Sequence, residues 1–237
     1  MKKTMPLSRL WTLSLVFFTA LTVVSCQKEI NPLEEEENNT GEPGTETPVS
    51  ESYLPHSKGS SWTYQDSALA DLKTTMVATD ETKTVNGITY HRYEITEGID
   101  EGEIFYGKLK NDYYLLLQAG ELVGVNAEIN MLILNDKEGV GYSWTKDAGS
   151  VGGLPARIKG SIKEKGSTHT WQGTTYRNLI YTVVDLEYNM LGSWTSVGTY
   201  HFYFAKGIGL VKSNNELSLL GQTYFANASY LVDYTIK

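Results

Sequence analysis

Cys26 is the only cysteine among the 237 residues, and its thiol is the most reactive group the chain offers. With no second thiol an intrachain disulfide is excluded, so packing alone must hold the fold. Position narrows what this thiol does. Before it lie a basic segment with Lys2, Lys3 and Arg9 and an apolar run from Leu10 to Val24 that ends on the small residue Ser25. That is the layout of a secretory signal, and the run is short for a membrane span.

The other groups able to do chemistry are scattered. His56, His91, His169 and His201 stand far apart, and none belongs to a His-x-x-x-His or carboxylate-paired spacing. No Gly-x-Ser-x-Gly elbow is present to raise a serine nucleophile. Asp100, Glu101 and Glu103 cluster beside an expected hairpin but lack the Asp-x-Asp-x-Asp-Gly spacing of a calcium loop. The sequence therefore assigns no catalytic residue, no metal and no cofactor.

The stretch Val23-Val24-Ser25-Cys26 resembles the box of bacterial lipoprotein signals, in which a cysteine is diacylated and becomes the mature N-terminus. The resemblance implies that residues 1–25 are a signal peptide and that Cys26 carries the acyl chains, palmitate among them, that join the protein to a lipid bilayer. An acylated Cys26 is no longer a nucleophile. Gln27 replaces the Asp that holds many lipoproteins at the inner membrane, and Glu34 to Glu37 resemble an export signal for the cell surface. Together they imply anchorage in the outer membrane, with the surface as one destination. Replacing Cys26 with serine is expected to release the protein from membrane fractions and leave its fold intact; loss of folding would refute the assignment.

Residues 26–52 form the lipidated cysteine and an acidic tether, rich in Glu, Asn, Gly, Pro and Thr and too poor in apolar residues to fold. The signal carries +3 and residues 27–52 carry −7, so residues 53–237 hold −4 of the formal total of −8. A mildly acidic remainder without a basic patch repels polyphosphate, which excludes nucleic acid as a natural partner.

From Tyr53 onward, short runs of Tyr, Val, Ile, Thr, Phe and Trp separated by Gly, Asn and Asp predict one all-β domain over residues 53–237. Expected strands are Ile88 to Thr96, Glu103 to Leu109, Asp112 to Gln118, Ile129 to Leu134, Arg157 to Glu164, Thr174 to Tyr188, Thr199 to Ala205, Glu216 to Leu220 and Gln222 to Ile236. In the last, Tyr224, Ala226, Ala228, Tyr230, Val232, Tyr234 and Ile236 alternate with Asn227, Ser229, Asp233 and Thr235, predicting an apolar and a polar face. Asp66 to Leu72 is the single stretch suited to a turn or two of helix. The sequence also repeats: Gly59-Ser60-Ser61-Trp62-Thr63 returns as Gly141-Tyr142-Ser143-Trp144-Thr145, and Asn86-Gly87-Ile88-Thr89-Tyr90 as Gln172-Gly173-Thr174-Thr175-Tyr176. This predicts internal duplication into halves of about 53–120 and 135–220, each with a tryptophan opening a strand and a glycine-containing tight hairpin.

Tyr53-Leu54-Pro55 with Gly59-Ser60-Ser61-Trp62-Thr63-Tyr64, the second Gly-x-x-Trp-Thr, and Phe204-Ala205-Lys206-Gly207-Ile208-Gly209-Leu210-Val211-Lys212 resemble the signatures of secreted and lipoprotein β domains, including those grouped with the TapB pilus-assembly family. The resemblance implies a curved antiparallel sheet or open barrel like the half-barrels of lipoprotein carriers. It carries no catalytic residue. Ala205-Lys206 stands where such domains often have Ala-Pro.

With 16 Tyr, 5 Trp and 6 Phe, most rings belong to core or cross-strand pairs. Tyr113, Tyr200, Tyr203 and Trp194 are the candidate binding residues, because strands such as Tyr200-His201-Phe202-Tyr203-Phe204 put rings on both faces. The reading that follows is a lipid-anchored, non-catalytic binding or structural module for a glycan, lipid or protein. Two alternatives remain: a hydrolase of an envelope or extracellular polymer whose carboxylates meet only in the fold, and a pilus or secretion accessory factor.

Overall fold

The computed structural model describes residues 51–68, 72–97, 102–118, 128–219 and 222–237. The signal, Cys26 and nearly all of the tether lie outside them. Among the described residues the chain forms twelve strands: β1 (Ser61–Asp66), β2 (Lys73–Val85), β3 (Ile88–Glu97), β4 (Gly102–Leu109), β5 (Asp112–Gln118), β6 (Glu128–Asn135), β7 (Ser143–Val151), β8 (Leu154–Trp171), β9 (Thr174–Met190), β10 (Ser193–Ala205), β11 (Gly209–Leu219) and β12 (Gln222–Thr235). The short apolar-polar alternation and frequent turn residues favour this outcome over helix.

All twelve join one antiparallel sheet in the order β6-β5-β4-β3-β2-β1-β12-β11-β10-β9-β8-β7. Two six-stranded meanders, β1 to β6 and β7 to β12, are thus spliced where β1 pairs with β12. The sheet curls until its two edges, β6 and β7, lie side by side without a hydrogen-bond ladder. Side chains close that seam instead: the Trp144 indole N–H donates to the Leu132 carbonyl at 3.2 Å, and the Thr182 hydroxyl donates to the Ile133 carbonyl at 2.8 Å. The result is a nearly closed barrel, the all-β curved architecture expected from the sequence.

The repeated motifs fall at corresponding places in the two meanders. Trp62 lies in β1 and Trp144 in β7, while Asn86-Gly87 turns β2 into β3 and Gln172-Gly173 turns β8 into β9. Both turns place two successive residues at positive φ, 52° and 77° in the first and 52° and 79° in the second. Glycine at the second position makes such a turn inexpensive, and its twist matches the flanking strands.

Two expectations need correction, and one strand was missed. The expected helical stretch at 66–72 is not helical where it is described: Asp66 ends β1, Leu72 is buried, and β2 begins at Lys73. β2 itself escaped the pattern because Asp80 and Glu81 interrupt it, where a register shift between Ala78 and Thr82 accommodates them. In β12 the apolar and polar faces are exchanged over half its length. A bulge opposite Thr63 and Tyr64 turns Leu231 and Ser229 inward and Tyr230 outward, and only beyond it does Tyr234 point inward beside Trp62.

The barrel interior is packed at one end. Trp62, Tyr93, Tyr113, Met131, Leu134, Ile158, Leu179 and Phe204 are among its buried side chains. Residues preceding β1 plug that end: Leu54 is buried, the Tyr93 hydroxyl donates to the Pro55 carbonyl at 2.7 Å, and Gly207 N–H donates to the Ser52 carbonyl at 2.9 Å. A small second cluster, Ile88, Tyr90, Phe105 and Leu116, covers part of the outer face of β3 to β5. There Gly107 leaves room for the Tyr90 ring, since a Cβ would stand 2.8 Å from it.

Candidate functional site

Strand alternation sends every second side chain into the barrel, and at the end opposite the plug those side chains do not meet. A cleft of about 270 Å³ remains there, close to the lower bound of small-molecule pockets. Its lining comes from β1, β2, β4, β5, β10, β11 and β12. Met76, Ile104, Leu115, Leu117, Phe202 and Leu210 supply aliphatic and aromatic surface, and Tyr64, Tyr106 and Tyr200 supply phenol rings. The polar lining is Asp66, Thr74, Ser213, Asn215 and Ser229.

Burial governs the chemistry of the phenols. The Tyr64 hydroxyl donates to the Leu210 carbonyl at 2.8 Å, and burial drives its pKa well above the ordinary 10. Burial likewise pushes Tyr106 up to about 12, and burial aided by Tyr188 brings Tyr200 to about 12. Outside the cleft, burial with help from Tyr234 raises Tyr176 to about 12. These rings are neutral hydrogen-bonding surfaces at physiological pH, unsuited to act as bases.

The same shifts set a pH limit on the fold. A phenol in the unfolded chain ionises near 10, whereas these retain their protons to about 12, so the unfolded state loses protons first as pH rises. Their contribution is complete below pH 10 and declines from 10 through about 12, at roughly 1.4 kcal/mol per pH unit for a fully buried phenol such as Tyr106. Denaturant midpoints should therefore hold between pH 7 and 9 and fall steeply above 10, with the phenolate absorbance of these buried rings appearing only as the protein unfolds. A midpoint unchanged at pH 11.5 would contradict this.

Asp66 is the one carboxylate in the cleft lining, and no Lys, Arg or His lines it. Asp66 accepts a hydrogen bond from Ala68 N–H at 2.7 Å. The cleft therefore lacks a pair of acids at glycosidase spacing. What it can do is take apolar matter out of water beside a wall of uncharged hydrogen-bonding groups.

The four aromatic residues proposed from the sequence lie in three different settings. Tyr200 lines the cleft. Tyr113 is fully buried near the plug, bordering a void of about 90 Å³; its hydroxyl receives a bond from Lys108 at 2.5 Å and donates to Asp136 at 3.1 Å. Trp194 is partly exposed on the outside of β10, with the Arg157 guanidinium 4.1 Å from its ring centre. Tyr203 also faces outward, stacked on Tyr181 at 4.2 Å with a 5° interplanar angle.

Tyr203 belongs to a row across the outer face formed by register: Glu164, Tyr181, Tyr203, Lys212, Tyr230, Gln65 and Lys73, on six successive strands from β8 to β1 and then β2. The Lys212 ammonium lies 4.9, 5.2 and 5.1 Å from the ring centres of Trp171, Tyr203 and Tyr230, and burial lowers its pKa. Cross-strand stacking of this kind stabilises a sheet. The four histidines are spread as expected, except that His56 in the plug stacks on His91 at 3.8 Å. No group of three or more His, Cys, Asp or Glu able to hold a metal occurs among the described residues.

Sequence reasoning missed Tyr64, Tyr106 and the aliphatic lining, because the cleft gathers residues from seven strands. No family model and no curated protein matches the sequence, so the likeness to TapB-type domains rests on the quoted motifs alone. Two solved structures are similar. One is a proposed lipoprotein of Parabacteroides distasonis, 14% identical over 78% of this chain and 99% of that one, with a TM-score of 0.44. The other is a proposed exported protein of Bacteroides fragilis with a YmcC-like fold, 13% identical over 77% of this chain and 98% of that one, also with a TM-score of 0.44. No residue role is carried over from either.

Proposed function

We propose that this chain is an envelope lipoprotein, held in the outer membrane by acylated Cys26, whose β domain is a non-catalytic module that binds a lipid-like small molecule in its lumen. The observation that carries the reading is the apolar cleft of about 270 Å³ left open at one end of the barrel. Interiors are normally filled, and an open cavity lined by Met, Leu, Ile and Phe forgoes packing energy that a bound apolar group restores. The signal, Cys26 and the acidic tether support delivery to the envelope. The residues preceding β1 plug the end of the barrel opposite the cleft and leave the cleft uncovered by them.

The test is titration of the full chain with the neutral apolar dye N-phenyl-1-naphthylamine. One site of micromolar affinity is expected, with a thermal midpoint that rises as ligand is added. Leu117→Trp should fill the cleft and reduce dye affinity at least tenfold while the fold persists. Equal binding by wild type and Leu117→Trp, or none by either, would sink the proposal.

A further inference from the structure

The cleft wall contains polar atoms that the protein leaves without partners. Thr74 and Asn215 line the cleft, and their Oγ1 and Oδ1 atoms, covered from solvent, have no hydrogen-bond partner. Asn227 Oδ1 is in the same condition, and Asn227 pairs with Asn215 across β11 and β12 on the inward face. Such orphaned buried groups are uncommon in folded proteins and require an explanation. The hydroxyls of Ser213 and Ser229 adjoin them on the same two strands. Every one of these groups is uncharged, and either amide end can be turned toward a ligand, so the wall matches a group that both donates and accepts.

Charge sharpens the match. Asp66 is the only carboxylate in the lining, the phenols there are neutral, and no Lys, Arg or His stands there to receive an anion. A carboxylate or phosphate entering this wall would be desolvated without a counter-ion and would face Asp66. A hydroxyl head group meets neither penalty.

We propose that the lumen is selective for a neutral amphiphile, an acyl chain bearing a hydroxyl-rich or amide head, over an anionic lipid with the same tail. This rests on reading the cleft as a binding site. The chain packs against Met76, Ile104, Leu115 and Phe202, and the Thr74 hydroxyl and Asn215 amide turn into the cleft to pair with the head.

Displacement of N-phenyl-1-naphthylamine from the full chain by three probes with one tail length tests it: monodecanoylglycerol, decanoate and decyltrimethylammonium, each below its micelle concentration at pH 8. Monodecanoylglycerol is expected to bind at least tenfold tighter than decanoate. Thr74→Val with Asn215→Leu should bring the ratio of the monodecanoylglycerol and decanoate displacement constants close to one, and Asp66→Asn should narrow it by strengthening decanoate. Decanoate binding as tightly as monodecanoylglycerol would overturn the selectivity and leave the binding site standing. So would decyltrimethylammonium binding tightest, which would make Asp66 the recognition element. Failure of the dye and all three probes to bind would overturn the binding site and the selectivity together.

Discussion

Trp62→Ala is expected to lower stability by about 3–5 kcal/mol, the range for truncating a large buried ring. Trp62 is 2% exposed, its ring packs against Tyr93 at 5.6 Å, and its indole N–H donates to the Ile208 carbonyl at 2.6 Å. Truncation leaves a cavity between β1 and the plug and strands that carbonyl without its donor. Because native domains hold only about 5–15 kcal/mol in reserve, the variant should approach the folding threshold. Trp62→Phe keeps most of the apolar contact and loses the bond, so about 1–3 kcal/mol is expected. Denaturant midpoints at constant m-value measure both. A loss below 1 kcal/mol for Trp62→Ala would show that the plug end is not the core it is described to be.

Gly160→Ala should be nearly as damaging, although it adds one methyl group. Gly160 pairs with Trp144 across β7 and β8, and the indole lies over the glycine so that an added Cβ would run into the ring. Overpacking of this kind typically costs about 1–3 kcal/mol and more where the obstructed group is rigid. Here it is rigid, because the Trp144 N–H is fixed to the Leu132 carbonyl across the seam. Displacing the indole removes a closure between β6 and β7, so amide exchange should accelerate in both edges beyond the global change. Placing Gly160→Ala in a Trp144→Ala background should make it almost neutral, a coupling readable as a double-mutant cycle. Additive effects would refute the contact.

Much of the architecture could be read from local chemistry. Asn86-Gly87 and Gln172-Gly173 announced two hairpins, and both occur, because positive φ at consecutive positions is a local demand. The tryptophans after Gly59 and Gly141 announced strands, and they open β1 and β7. Which face of a strand looks inward was less legible. Alternation assigns residues to two faces, yet a single bulge exchanges them, as β12 shows at Tyr230 and Leu231. The site was least legible. Tyr113, Tyr200 and Tyr203 are chemically alike, and only the pairing of distant strands puts one in the core, one in the cleft and one outside.

Ser52, Pro55 and β1 also determine how a pull on the protein would be borne. Force arriving through residue 51 first meets the Gly207 to Ser52 and Tyr93 to Pro55 hydrogen bonds. Behind them is β1, an interior strand bonded to β2 on one side and β12 on the other. Load along its axis must shear two ladders at once, where an edge strand such as β7 would unzip bond by bond. The domain is thus gripped by the strand that resists extraction best, and resistance to forced unfolding is a rate set by that geometry.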